Sequence, residues 1–188
     1  SIASDQILSP NIHFVGPALE GQRASIDFPW DRIDHSMPRL FFSMGTVNAL
    51  RAVTLYQRLI EGLADAPIQV IAAAPVAFFR EAPAHWIVQP RVPQLELLGY
   101  MSAVFCHGGH NTTLESLAYG LPLLIAPIRD DQPVIAEQIK KVGAGLRVHF
   151  SRVKAHRLRV LVEEILYLDK YRMAADRVRR EFIDDQPF

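Results

Sequence analysis

Between residues 39 and 148 short runs of apolar residues alternate with stretches of helical spacing. The runs are Leu40-Phe41-Phe42 (closed by Ser43), residues 68–72, Trp86-Ile87-Val88, Ala103-Val104-Phe105-Cys106, Leu123-Leu124-Ile125-Ala126 and Leu146-Arg147-Val148. A strand with one wet face alternates apolar and polar residues, so strands apolar at successive positions are buried on both faces. Between them, residues 48–63 carry Leu55, Leu59 and Leu63 with Val53 and Ile60 at helical spacing. Further helices are predicted at 94–100, at 111–119 before Gly120 and Pro122, at 132–142 before Gly143, and at about 154–168 and 170–183. Such alternation predicts an α/β fold, a Rossmann-like parallel sheet with helices on both faces.

The folded domain is expected to span 39–188, with residues 1–38 as an irregular lead-in or linker. The lead-in holds one short strand candidate, Ile12-His13-Phe14-Val15, ended by Gly16-Pro17.

Composition narrows the function. Of 188 residues 49% are hydrophobic and 21% charged, and the formal net charge is zero. That supports one domain with a sizeable core and argues against nonspecific attraction to nucleic acid or an anionic membrane surface. No run approaches the roughly 18–20 apolar residues of a membrane span, and no secretory leader is visible, so a cytoplasmic location is expected. The lone Cys106 rules out an internal disulfide framework and a multi-cysteine zinc site, and its apolar surroundings read as core. His13, His35, His85, His149 and His156 are scattered without ligand spacing. No Asp-x-Asp pair marks a metal-diphosphate site, and neither metal nor cofactor is expected.

Ligands of open parallel sheets bind beyond the carboxyl ends of the strands. Three strand-to-helix loops there have unusual composition: Ser43-Met44-Gly45-Thr46, His107-Gly108-Gly109-His110-Asn111-Thr112 and Arg129-Asp130-Asp131-Gln132-Pro133. In the second, Gly108 and Gly109 let backbone come close to a ligand, and a helix starting near Asn111 offers free N–H groups and a positive dipole end. That suits a phosphate or diphosphate, with His107 as a further donor and Thr112 adding a hydroxyl. Asn111 or Thr112 followed by Glu115 also fits an ordinary capping box, in which the glutamate only satisfies the helix start.

Taken in order, these blocks resemble a known family. The stretch from His107 to Glu115, then Gly120-Leu121-Pro122 and Asp131-Gln132, is similar to the donor-binding signature of family 1 (UGT-like) GT-B glycosyltransferases. Val92-Pro93-Gln94-Leu95-Glu96-Leu97-Leu98 and Phe42-Ser43-Met44-Gly45-Thr46 match upstream, and the similarity is strongest to bacterial macrolide, antibiotic and carotenoid enzymes. The resemblance runs from about residue 11 to 145.

The resemblance implies the C-terminal, nucleotide-sugar-binding half of a GT-B fold. His107 and Thr112, with the backbone of Gly108, Gly109 and Asn111, would hold the phosphates of a UDP- or dTDP-sugar, and His107 would stabilise the leaving diphosphate. Glu115 would bond the ribose hydroxyls, Val92 and Gln94 would line the base pocket, and Asp131 and Gln132 would bond the sugar. Ser43, Gly45 and Thr46 would flank the diphosphate from the other side. Many relatives place Trp before the Val-Pro-Gln block where this chain has Arg91, whose guanidinium can also stack on a base.

The implied reaction is inverting transfer of a sugar to a hydroxyl of an apolar small molecule. The general base and acceptor pocket would lie in roughly 200 further residues upstream, so this chain alone is expected to be inactive. Two alternatives stand: a GlcNAc-transferase or epimerase type of domain, and a non-catalytic sugar-nucleotide-binding subunit acting with a partner chain.

Overall fold

A computed structural model describes residues 26–45 and 52–184. Among these, six parallel strands form one sheet: β1 (Arg39–Ser43), β2 (Gln69–Ala73), β3 (Ile87–Gln89), β4 (Ala103–Cys106), β5 (Leu123–Ile125) and β6 (Gly145–Arg147). Their spatial order is β3-β2-β1-β4-β5-β6, that of a Rossmann sheet. The helices are α1 (Val53–Leu63), α2 (Gln94–Leu98), α3 (His110–Ala118), α4 (Gln132–Lys141), α5 (Ala155–Tyr167) and α6 (Asp169–Asp184). Single turns of 3₁₀ helix at Trp30–Arg32 and Val76–Phe78 were not anticipated from the sequence. The strand expected at 12–15 and the helical start expected at 48–51 lie outside the described residues.

Two-sided burial explains the apolar runs. Leu40, Phe42 and Met44 of the first strand and its exit face one core, with Val70, Ala72, Phe105 and Leu124; α1 and α5 cover it with Leu55, Leu59, Leu158 and Val162. Phe41, Ile71, Val104, Cys106, Leu123 and Ile125 point the other way, into a second core closed by Leu97 of α2, Leu117 of α3, Ile139 of α4 and Val178 of α6. Each large apolar side chain so buried contributes roughly 1.5–3 kcal/mol, and the period-two alternation divides that gain between both faces. Among the described residues no helix is long and apolar enough to cross a membrane.

Residues 26–38, assigned from sequence to the lead-in, are packed onto this domain from Phe28 onward. Phe28 and Ile33 are buried in the second core. Arg32 donates to the carbonyls of Ala84 and Trp86 at 2.9 Å each, and Arg39 reaches back to Asp34, Met37 and Tyr100 carbonyls. These bonds lie at the starting ends of the strands, opposite the edge where the strand-to-helix loops open.

The main fastening is Gln69, 1% exposed at the start of β2. Its Oε1 accepts from Asp34 N–H at 2.9 Å, and its Nε2 donates to Arg32 and His85 carbonyls at 2.8 and 2.9 Å. Gln69→Leu keeps the volume but strands three backbone groups. It is expected to cost about 2–4 kcal/mol and to lower Tm by roughly 5–10 °C for a domain of this size. Thermal unfolding within a degree of the parent would show that the segment is held by packing alone.

Candidate functional site

Strands β1 and β4 are neighbours, yet the chain leaves β1 toward β2 and β4 toward β5. The crevice between their carboxyl ends is the switch point at which doubly wound sheets bind ligands. Met44-Gly45 exits β1, and His107-Gly108-Gly109 exits β4. A side-chain carbon at Gly45 would lie 2.9 Å from His107 Cε1, and one at Gly109 2.6 Å from His107 Nε2. The imidazole is therefore wedged between two bare backbones, and any larger residue at either position displaces it. Gly45 also has φ +71°, where a side chain would be strained. Ser43, 7% exposed, accepts from Gly45 N–H through Oγ at 3.4 Å.

Burial holds the His107 pKa below its ordinary value, while a contact with the Ser43 main chain and the negative charge of Asp131 both pull it up. Burial dominates, because Nδ1 is shut from solvent and has no well-formed hydrogen bond among the described residues. The ring is neutral at neutral pH and has one N–H to give.

The helix behind it starts one residue earlier than the sequence indicated. Gly109 is the extended cap of α3, and His110, Asn111 and Thr112 are its first three residues. A glycine cap has no side chain to accept from the unpaired N–H groups of the first turn. The capping-box reading of Glu115 fails on this geometry, since it needs the glutamate at the third helical position and Glu115 is at the sixth. Glu115 is instead 6% exposed and accepts from Gln94 Nε2 at 2.5 Å; the same amide nitrogen is 3.4 Å from Thr112 Oγ1.

Gln94, at the start of α2, also lines a cleft of about 750 Å³. Ser43, Gly45 and Thr112 form one wall, Pro90, Arg91 and Val92 a second, and Ala73 to Ala77 after β2 a third, with Ile26 at the edge. Arg91 is exposed and Val92 buried. The loop after β2 was missed in the sequence because it carries only alanine, proline and valine. Its signal was positional: it too leaves the carboxyl end of a strand.

The third loop adjoins the first two but does not line that cleft. Gly108, φ +85°, packs on Ile125 and the Gln132 backbone. Gln132 is buried, and its Oε1 accepts from Ile128 and Arg129 N–H at 2.9 and 3.1 Å, so half of its amide ties the loop together. Asp131 is exposed, close enough for its charge to act on His107. Asp130 of the same loop has φ 57° and pairs with Arg129 at 3.3 Å. The structure thus brings Ser43, Gly45, Arg91, Val92, Gln94 and Thr112 around one cleft, with His107, Gly109 and Glu115 adjoining it. Thr46 lies outside the described residues. Cys106 is fully buried below, its thiol pushed up to about 11 by burial. Among the described residues no cluster of three or more His, Cys, Asp or Glu is placed to hold a metal ion.

Comparison with known proteins agrees with this fold. Residues 58–187 match the family described as erythromycin biosynthesis protein CIII-like, C-terminal domain. YojK of Bacillus subtilis, described as an uncharacterized UDP-glucosyltransferase, is 32% identical over 169 residues, covering 88% of this chain and 41% of that protein. The glycosyltransferase SnogD from Streptomyces nogalater superposes with a TM-score of 0.81 at 23% identity, over 99% of this chain and 50% of that one. The glycosyltransferase VinC, solved in complex with dTDP, gives 0.75 at 26% identity, over 85% and 41%. The chain spans about two fifths of the length of the curated relatives it matches. It belongs to the erythromycin biosynthesis protein CIII-like C-terminal domain family, and its fold is the C-terminal half of the GT-B glycosyltransferase architecture.

Proposed function

We propose that this chain is the donor-binding half of an inverting glycosyltransferase, which moves a sugar from a UDP- or dTDP-sugar to a hydroxyl of an apolar small molecule. The observation that carries the reading is the imidazole of His107 wedged between Gly45 and Gly109 beside the open first turn of α3. First-turn N–H groups with no capping side chain among the described residues, a positive dipole end and a neutral donor converge where a diphosphate would lie. VinC, at 26% identity, was solved with a nucleotide diphosphate, which supports the assignment.

In this reading the phosphates meet His107, Thr112 and the backbone of Gly108, Gly109 and Asn111, with Ser43, Gly45 and Thr46 on the opposite side. The ribose diol donates to Glu115. The base enters the cleft between Val92 and the loop after β2, with Arg91 over its face. Asp131 and the amide N–H groups of Gln132 meet the sugar hydroxyls.

A general base and an acceptor pocket are assigned to a part of the protein outside this chain. That base takes the acceptor's proton, the acceptor oxygen bonds to the anomeric carbon, and the bond from that carbon to the diphosphate breaks with its electron pair leaving on phosphate. Preorganised donors aimed at that developing charge lower the barrier. The role of this half is thus to hold the donor and receive the leaving charge.

Two outcomes are expected. His107→Ala should weaken UDP or dTDP binding by about 1–3 kcal/mol, the range for a buried or charge-assisted hydrogen bond. Unchanged affinity in calorimetry would remove His107 from the site.

The second concerns protons. Because its pKa in the free chain is depressed, His107 contributes stability that is present above its unfolded value and lost as pH falls through the folded one. A bound diphosphate pulls the pKa back up, so binding tightens as pH falls and is accompanied by proton uptake. Calorimetry near pH 6.5 in buffers of different ionisation enthalpy should show more uptake for the parent than for His107→Gln. Equal uptake would place the diphosphate away from the ring.

A further inference from the structure

We infer that Gln94 is a positioning residue, which acts on the nucleotide through Glu115 and donates no hydrogen bond to the base. The inference rests on the donor-binding reading above and assigns to Gln94 a different task from lining a base pocket.

The argument begins with donor count. A glutamine amide has two N–H groups on Nε2 and one acceptor oxygen. The carboxylate of Glu115 accepts only, so the atom facing it at 2.5 Å must be the nitrogen. The second N–H has Thr112 Oγ1 within 3.4 Å. Both partners lie on α3 three residues apart and therefore on one helix face. With its donors turned to α3, Gln94 has only its oxygen left for the cleft. A uracil or thymine keto oxygen, which needs a donor, gets none from it, and only the base N3–H could meet the remaining amide oxygen.

The bond matters because Glu115 is 6% exposed. A carboxylate so enclosed keeps one direction only if donors hold it, and the Gln94 amide makes a short, charge-assisted bond to it. The support is rigid: α2 is anchored by buried Leu97 and Leu98, and it carries Gln94 at its first position. The bond ties α2 to α3 and fixes one oxygen of Glu115 before any ligand arrives, and in the donor-binding reading that carboxylate receives the ribose diol.

The test compares two ligands, UDP and its 2′,3′-dideoxy analogue, by calorimetry on the parent chain and on Gln94→Met, Gln94→Glu and Glu115→Gln. Gln94→Met removes the donors at similar volume, and Gln94→Glu replaces them with an acceptor at unchanged shape, so one of the two remains informative if the other fails to fold. Both should weaken UDP binding about tenfold to a hundredfold and change dideoxy-UDP binding by less than about twofold, because the lost contact acts only through ribose hydroxyls. Equal losses for the two ligands would overturn the inference and put Gln94 on the base. A Glu115→Gln variant that keeps the parent's preference for UDP over the dideoxy analogue would instead remove Glu115 from the ribose site, overturning the underlying reading as well. A merely structural Gln94 would lower Tm without altering the ratio of the two affinities.

Discussion

The imidazole of His107 occupies space that exists only because Gly45 and Gly109 lack side chains. Its atoms come within 3 Å of where either missing carbon would stand. That close approach sets the rest of the switch-point crevice. It draws the exits of β1 and β4 together and seats Gly109 as the bare cap of α3, with no capping side chain among the described residues. The same enclosure keeps the ring neutral, so it waits as a donor rather than as a charge. Neutrality has a consequence under the proposed reading: a diphosphate beside the ring would draw its pKa back up and favour its protonation.

The two edges of the sheet divide the work. At the starting ends of the strands, Gln69, Arg32 and Arg39 satisfy backbone groups and tie residues 28–38 to the domain. At the carboxyl ends, polar groups that border the crevice are held in place by the protein. Gln132 spends its oxygen on the loop after β5, and Glu115 is held by Gln94. Rigid packing between two cores lets the second edge keep groups poised without the crevice collapsing, since each loop leaves a strand buried on both faces.

Much of this was legible in the sequence. The apolar runs marked each strand to within a residue or two, because burial on both faces leaves few polar positions, at the strand ends, to blur them. The glycines of the loop after β4 and the helix behind them were also plain. Other features were hidden for physical reasons. The loop after β2 lines the cleft with alanine, proline and valine, which carry no chemical signature. The bond from Gln94 to Glu115 joins residues 21 apart whose meeting depends on the packing of α2 on the sheet. The start of α3 at His110 was masked because Asn111 and Thr112 are themselves good capping residues, and a glycine cap, Gly109, won. Residues 28–38 read as linker because their apolar content is sparse, although Phe28 and Ile33 are enough to bury.

The central claim is that the first turn of α3 and His107 receive a nucleotide diphosphate. A crystal structure of the chain with UDP or dTDP tests it most directly. The account predicts phosphate oxygens within hydrogen-bond distance of His107 and of backbone N–H groups between Gly109 and Thr112, with the ribose against Glu115 and the base in the cleft beside Val92. Nucleotide bound elsewhere, with His107 and the first turn of α3 untouched, would contradict it.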